Sequence, residues 1–146
     1  LHPGDTGLDF GSGDNSVLGL MLTEKGYAVS CYDPFFHPDV SVLSRTYDFV
    51  VCCEVVEHFH RPAYEFARLN AMLNPNGRLG IMTCFQTDDS EFANWYYRQD
   101  STHVVFYRKE TFEYIASQFG WNCEFPAKDV VLMQKLLTVS GHQNAV

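Results

Sequence analysis

No stretch of this 146-residue chain approaches the ~20 consecutive apolar residues that cross a bilayer. None has the basic, apolar and small-residue order of a secretory leader, and no repeat, low-complexity tract or linker interrupts the sequence. The 5 cysteines are Cys31, Cys52, Cys53, Cys84 and Cys123, and they include no C-x-x-C pair of the kind that builds a structural zinc site. They fall in or beside apolar runs, where cysteine behaves as a small hydrophobe. Reduced thiols and a cytoplasmic protein are the expectation. Positive charge is scarce, with 10 Lys and Arg against 18 Asp and Glu and a net charge of −8. Such a surface repels bare nucleic acid over most of its area and leaves room only for a local basic patch.

What the chain does have is core material. Hydrophobic residues make up 46% of it, 12 Phe and 8 Tyr among them, which excludes disorder and suits one domain over 1–146. The first strand begins within a few residues of Leu1, so a longer protein with a further N-terminal segment is expected. Apolar runs alternate with amphipathic stretches, the pattern of an α/β fold with a parallel sheet.

Thr6 to Phe10 reads as a first strand ended by Gly11-Ser12-Gly13. Asp14, Asn15 or Ser16 caps the helix that follows, with Val17, Leu18, Met21 and Leu22 as its apolar side and Gly26 just past its end. Ala28 to Tyr32 is a second strand, closed by Asp33-Pro34. Phe49 to Cys53 is apolar without alternation, as a strand covered on both faces should be. A helix runs from Pro62 to Leu73, a turn over Asn74 to Gly77, and a strand over Arg78 to Thr83. Lys109 to Phe119 is helical, with Phe112, Ile115, Ala116 and Phe119 on one side and Gly120 as its stop. Trp121 to Phe125 and Val130 to Leu137 then form an antiparallel pair. The segment 34–47 is too short for a full helix-strand-helix excursion, so one edge of the sheet is expected to be trimmed, to Val40-Ser41-Val42 at most. The fold class is α/β: a Rossmann-like, doubly wound and mostly parallel sheet.

Two glycines where a strand gives way to a helix let the backbone bend tightly and admit a ligand with no Cβ in the way. Asp33 follows Gly13 by about 20 residues, the spacing at which a carboxylate lies beside the glycine turn and accepts ribose hydroxyls. An ordinary tight turn with a solvated Asp33 is the plainer alternative. A dinucleotide site prefers a third glycine where this chain has Ser16. An S-adenosylmethionine site holds no phosphate and sets an acidic residue two before the first glycine, near the cofactor's cationic end. Asp9 occupies that position.

The ordered segments Leu8-Asp9-Phe10-Gly11-Ser12-Gly13, Asp33, Tyr47 to Phe59, Leu73 to Leu79, His103 to Phe112 and Phe119-Gly120-Trp121 resemble the motifs of class I S-adenosylmethionine-dependent methyltransferases over nearly the whole chain. The resemblance implies S-adenosyl-L-methionine as cofactor, with Asp9, Gly11, Ser12 and Gly13 toward its methionine portion. It implies Asp33-Pro34 at the ribose and Glu54 near the methyl group. Two positions depart from the family: Asn15 replaces a loop glycine, and the shortened 34–47 segment offers no counterpart of the acid that faces the adenine amine. Phe35 and Phe36 are candidates to line the adenine pocket instead.

Glu54-Val55-Val56-Glu57-His58 leaves the strand at the edge where open α/β sheets bind ligands. One helical turn there converges two carboxylates and an imidazole, a donor set for Mg²⁺, Mn²⁺ or Zn²⁺. The same E-x-x-E-H run is similar to the metal-coordinating segment of ubiquinone-pathway O-methyltransferases and small-RNA 2′-O-methyltransferases. That likeness implies Glu54, Glu57, His58 and His103 as ligands. Without metal, His58 or His103 is the candidate general base. His2, His37, His60 and His142 fall outside any constellation. The aromatic run from Phe92 to Arg98 follows a strand and is expected either at the substrate mouth or in the core. The favoured function is methyl transfer to a small-molecule hydroxyl, with no membrane partner. The alternatives are a non-catalytic methyltransferase-like binding module and a nicotinamide-dependent oxidoreductase.

Overall fold

The computed structural model describes residues 1–137. Six strands form one sheet in the order β2-β1-β3-β4-β6-β5. They are β1 (Thr6–Phe10), β2 (Ala28–Tyr32), β3 (Tyr47–Cys53), β4 (Leu73–Met82), β5 (Trp121–Ala127) and β6 (Val130–Lys135). The first four run parallel, and β6 lies antiparallel between β4 and β5. This is the α/β, mostly parallel sheet with a C-terminal antiparallel pair that the sequence pattern predicts.

Three helices cover the sheet: α1 (Val17–Glu24), α2 (Pro62–Met72) and α3 (Lys109–Phe119). Alternation along β1 explains why α1 and α2 lie on opposite faces. The Asp9 side chain points toward Gly19 of α1. Phe10 packs instead on Phe59, which packs on Phe66 of α2. The core runs through Leu8, Val50, Leu69, Leu79, Phe112 and Val131, all fully buried. Gly120 takes φ 65° and ends α3 in the left-handed conformation, as its place in the sequence requires.

Three local expectations are corrected. Val40-Ser41-Val42 is not a strand but the start of a 3₁₀ helix, Val40–Ser44, whose first turn is capped by the Asp39 carboxylate accepting from Ser41 N at 2.9 Å. That side-chain cap offers the backbone a local partner in place of a sheet ladder, and β2 is left at the edge. The apolar side expected for α1 holds at Leu18 and Leu22, which are half-buried, and fails at Val17 and Met21. Val17 and Met21 are 64% and 53% exposed, and the buried residue is Gly19. Only a glycine fits there, because a Cβ would stand 2.3 Å from Ser16 Oγ. Finally, Asn74 to Gly77 is absorbed into β4 as an irregularity with Asn76 at φ 63°.

The chain leaves β1 for β2 on one side and returns as β3 on the other. The carboxyl ends of β1 and β3 therefore flank a topological switch point, where open α/β sheets bind ligands.

Candidate functional site

Gly11 at φ 78° and Gly13 at φ 63° carry the chain off the end of β1. The Gly11 and Ser12 amides donate to Tyr32 O at 2.7 and 3.0 Å, which locks the turn to the end of β2. Gly11 also meets β3's exit directly, since a Cβ there would lie 2.5 Å from Val55 Cγ2. Asp33 sits beside the turn as its spacing predicts. It is 8% exposed, and its Oδ2 accepts from Gly13 N at 3.1 Å while Oδ1 accepts from Phe35 N and Phe36 N. Three amides therefore aim this carboxylate. His37, read from sequence as outside any constellation, joins the same knot: its Nε2 is 3.3 Å from Asp14 O.

A cleft of about 700 Å³ opens over these residues, lined by Gly11, Gly13, Asp33, Pro34, Glu54 and His58 among others. A neighbouring hollow of about 580 Å³ shares Gly11, Pro34, Phe35, Val55, His58 and His60 with it and reaches Tyr64 and Arg68 of α2. Of the expected cofactor residues, Ser12 and Asp9 line neither cavity. Nor does Phe36, while Phe35 and the unexpected His60 line both.

Asp9 is buried behind the turn, where Ser16 Oγ donates to its Oδ2 at 2.8 Å. Burial pushes this carboxyl above the ordinary range, and the Ser16 bond partly offsets the rise. Ser16 adopts φ 41° at the start of α1 and makes no side-chain cap. Its hydroxyl serves Asp9 and Cys31 instead, a use that a capping rule does not anticipate.

The second half of the site hangs from β3. Glu54 takes φ 54°, and the expected helical turn follows as a single 3₁₀ turn, Val56–His58. That turn sends Glu57 inward to complete burial. Glu57 Oε2 accepts from Thr83 Oγ1 at 3.0 Å, and Oε1 accepts from the Tyr97 hydroxyl at 2.5 Å. The same hydroxyl lies 3.0 Å from Glu54 Oε2. It has one proton to give, and the shorter contact to Glu57 takes it. Partial burial raises the Glu54 carboxyl, the charge of Glu57 adds to the rise, and the Tyr97 contact opposes it.

His58 and His103 face each other with ring centroids 4.8 Å apart. His58 Nδ1 lies 3.0 Å from Thr102 O, and His103 Nδ1 lies 2.7 Å from Tyr97 O. A carbonyl only accepts, so each ring donates from Nδ1, and His103 Nε2 lies 3.7 Å from Asp100 Oδ2. Among the described residues, Glu57, His58 and His103 offer ligand atoms within 4.8 Å of one another. Of the four expected ligands the structure brings these three together, while Glu54 stands apart from them and shares the Tyr97 hydroxyl with Glu57. One buried carboxylate and two imidazoles anchored through Nδ1 fit a divalent cation.

The Phe92–Arg98 run divides its roles. Tyr97 is buried in the site, Trp95 packs on Phe92 and Phe106, and Tyr96 is exposed. Thr83 and the Tyr97 hydroxyl were not singled out from sequence. Their one signal is position, a polar residue ending an apolar strand and a tyrosine in the loop beyond it. All five cysteines are free, though only Cys52 is fully buried. His2 is exposed, and His142 lies outside the described residues.

A family model described as a methyltransferase domain matches residues 1–124. A ubiquinone biosynthesis O-methyltransferase of Photobacterium profundum is 32% identical over 78 residues, covering 53% of this chain and 33% of that protein. An O-methyltransferase family protein from Burkholderia thailandensis superposes with a TM-score of 0.67 at 14% identity, covering 90% of this chain and 50% of the other. Human N-acetylserotonin methyltransferase, in complex with S-adenosylmethionine, gives 0.64 at 11% identity, with 90% and 48% covered. The chain spans a third of the curated relative and half or slightly less of these two structures. At such identities the structural likeness is one of fold.

Proposed function

Because the chain belongs to the methyltransferase-domain family, we propose that it binds S-adenosyl-L-methionine in the cleft between β1 and β3 and transfers the methyl group to a small-molecule hydroxyl. The observation that carries this reading is the Asp33 carboxylate, fixed by three amides beside a bare glycine turn in the cleft wall. That arrangement suits the two hydroxyls of a ribose, and Phe35 supplies a flat wall for the adjoining base. Gly13, Pro34 and Glu54 complete the cofactor wall. Ser12 supports the turn through its amide, and Asp9 acts from behind it.

The reaction is an in-line displacement. A bond forms between the acceptor oxygen and the methyl carbon as the carbon–sulfur bond breaks, and the sulfur leaves as a neutral thioether. The protein contributes alignment and a proton acceptor. With no cation bound, the acceptor's hydroxyl proton passes to His58 or His103 at Nε2, because Nδ1 of each ring is engaged by a carbonyl. A divalent cation held by Glu57, His58 and His103 would lower the pKa of that hydroxyl. No helix of the described residues is long and apolar enough to cross a membrane, and the free thiols suit a reducing compartment such as the cytoplasm. The acidic surface favours a small acceptor over a nucleic acid.

Titration calorimetry with S-adenosylhomocysteine tests the reading. The wild-type chain should bind it, and Asp33→Ala should weaken the affinity at least about tenfold, the loss of roughly 1.4 kcal/mol or more. A folded chain that takes up no S-adenosylhomocysteine, or binds NADH in its place, defeats the proposal.

A further inference from the structure

Tyr97 touches Glu54, Glu57 and His103, yet it lines neither cavity. Its hydroxyl reaches Glu57 and Glu54. Its ring lies against the His103 ring, with centroids 4.2 Å apart. Its main-chain carbonyl accepts from His103 Nδ1. The segment that carries it, Tyr96–Gln99, is a four-residue 3₁₀ helix, too short to hold its own position. The place of that carbonyl therefore depends on where the side chain is anchored.

We propose that Tyr97 is a positioning residue: its hydroxyl, clasped by Glu57 and Glu54, sets the carbonyl that selects the His103 tautomer and so fixes the direction in which Nε2 of that ring faces. One side chain thereby couples the spacing of the carboxylates to the orientation of the imidazole. This rests on reading His103 and Glu57 as groups that act in the cleft. The Thr83 hydroxyl bonds the same Glu57 carboxylate and lies 3.1 Å from the Tyr97 hydroxyl, so it belongs to the clasp that holds Tyr97.

The test uses the whole chain with ¹⁵N-labelled histidine. NMR reads the His103 tautomer, and calorimetry with Zn²⁺ alone reads the ligand cluster. Wild type should show His103 protonated at Nδ1. Tyr97→Phe should lose that preference and weaken Zn²⁺ binding about 10- to 100-fold, the usual effect of losing an outer-shell partner. The proposal is overturned if Tyr97→Phe leaves the tautomer unchanged. Should Tyr97→Phe not melt cooperatively, the wild-type spectrum decides alone, and a His103 protonated at Nε2 refutes the assignment. A wild-type chain that binds no Zn²⁺ removes the cation reading only, because the tautomer comparison still judges Tyr97.

Discussion

Gly11 and Gly13 share a left-handed backbone, yet their surroundings differ. A Cβ on Gly13 enters open space, while one on Gly11 runs into Val55 at 2.5 Å. Gly13→Ala should therefore cost only the left-handed penalty of about 1–2 kcal/mol. Gly11→Ala should add an overpacking cost of about 1–3 kcal/mol and push Val55 into the cleft. Denaturant melts of the two variants check this, and equal losses would mean that the β1–β3 contact is looser than described. The glycines themselves are legible in the sequence from the strand-to-helix change around them. The Val55 contact is not, because it joins residues far apart in the chain.

Asp48 shows how one side chain ties elements together. From β3 it accepts from the backbone amide and hydroxyl of Thr6 on β1 and from Asn74 Nδ2 on β4. These bonds hold its carboxyl below the ordinary 3.8, the Thr6 amide most of all. A lowered folded-state pKa gives stability that is present above the unfolded value and lost as pH falls through the folded one. Asp48→Ala should cost about 1–2 kcal/mol at neutral pH. The gap between variant and wild type should close below about pH 4. Urea melts at pH 3 and pH 7 test the trend, and a gap that widens in acid would contradict it. At this scale the sequence read β1, β2, α3 and the β5–β6 pair correctly, because their burial patterns repeat locally. It misread 40–42 and the inner side of α1, where a cap at Asp39 and the close approach of Gly19 outweigh the apolar pattern.

For the molecule as a whole, the buried Asp9 works in the opposite sense. Its folded pKa is raised, burial being the largest cause. Its contribution is therefore most favourable at low pH and is lost as pH rises through the folded value. Asp9→Asn keeps an acceptor for the Ser16 hydroxyl and removes the buried charge. The variant should gain on wild type as pH rises from 3 to 7, read as the difference in melting midpoint across that range. A difference that shrinks would place Asp9 in a more solvated setting than the one behind the glycine turn. This bears on function too, since a carboxylate so enclosed bonds Ser16 and lines neither cavity.

Residue order along the chain is enough to dictate the succession of elements, the glycine bend, the aspartate beside it and the chemistry that residues 54–58 bring to the sheet edge. Each of these is written in short-range spacing, in periodicity or in the backbone freedom of a particular residue. Which donors converge was settled only in the folded molecule. Folding set Glu54 apart from the converging Glu57, His58 and His103, enclosed Asp9, and brought in Tyr97 across 40 positions to hold Glu57. Contacts of that kind depend on strand register and on where a loop comes to rest, and no local pattern encodes either.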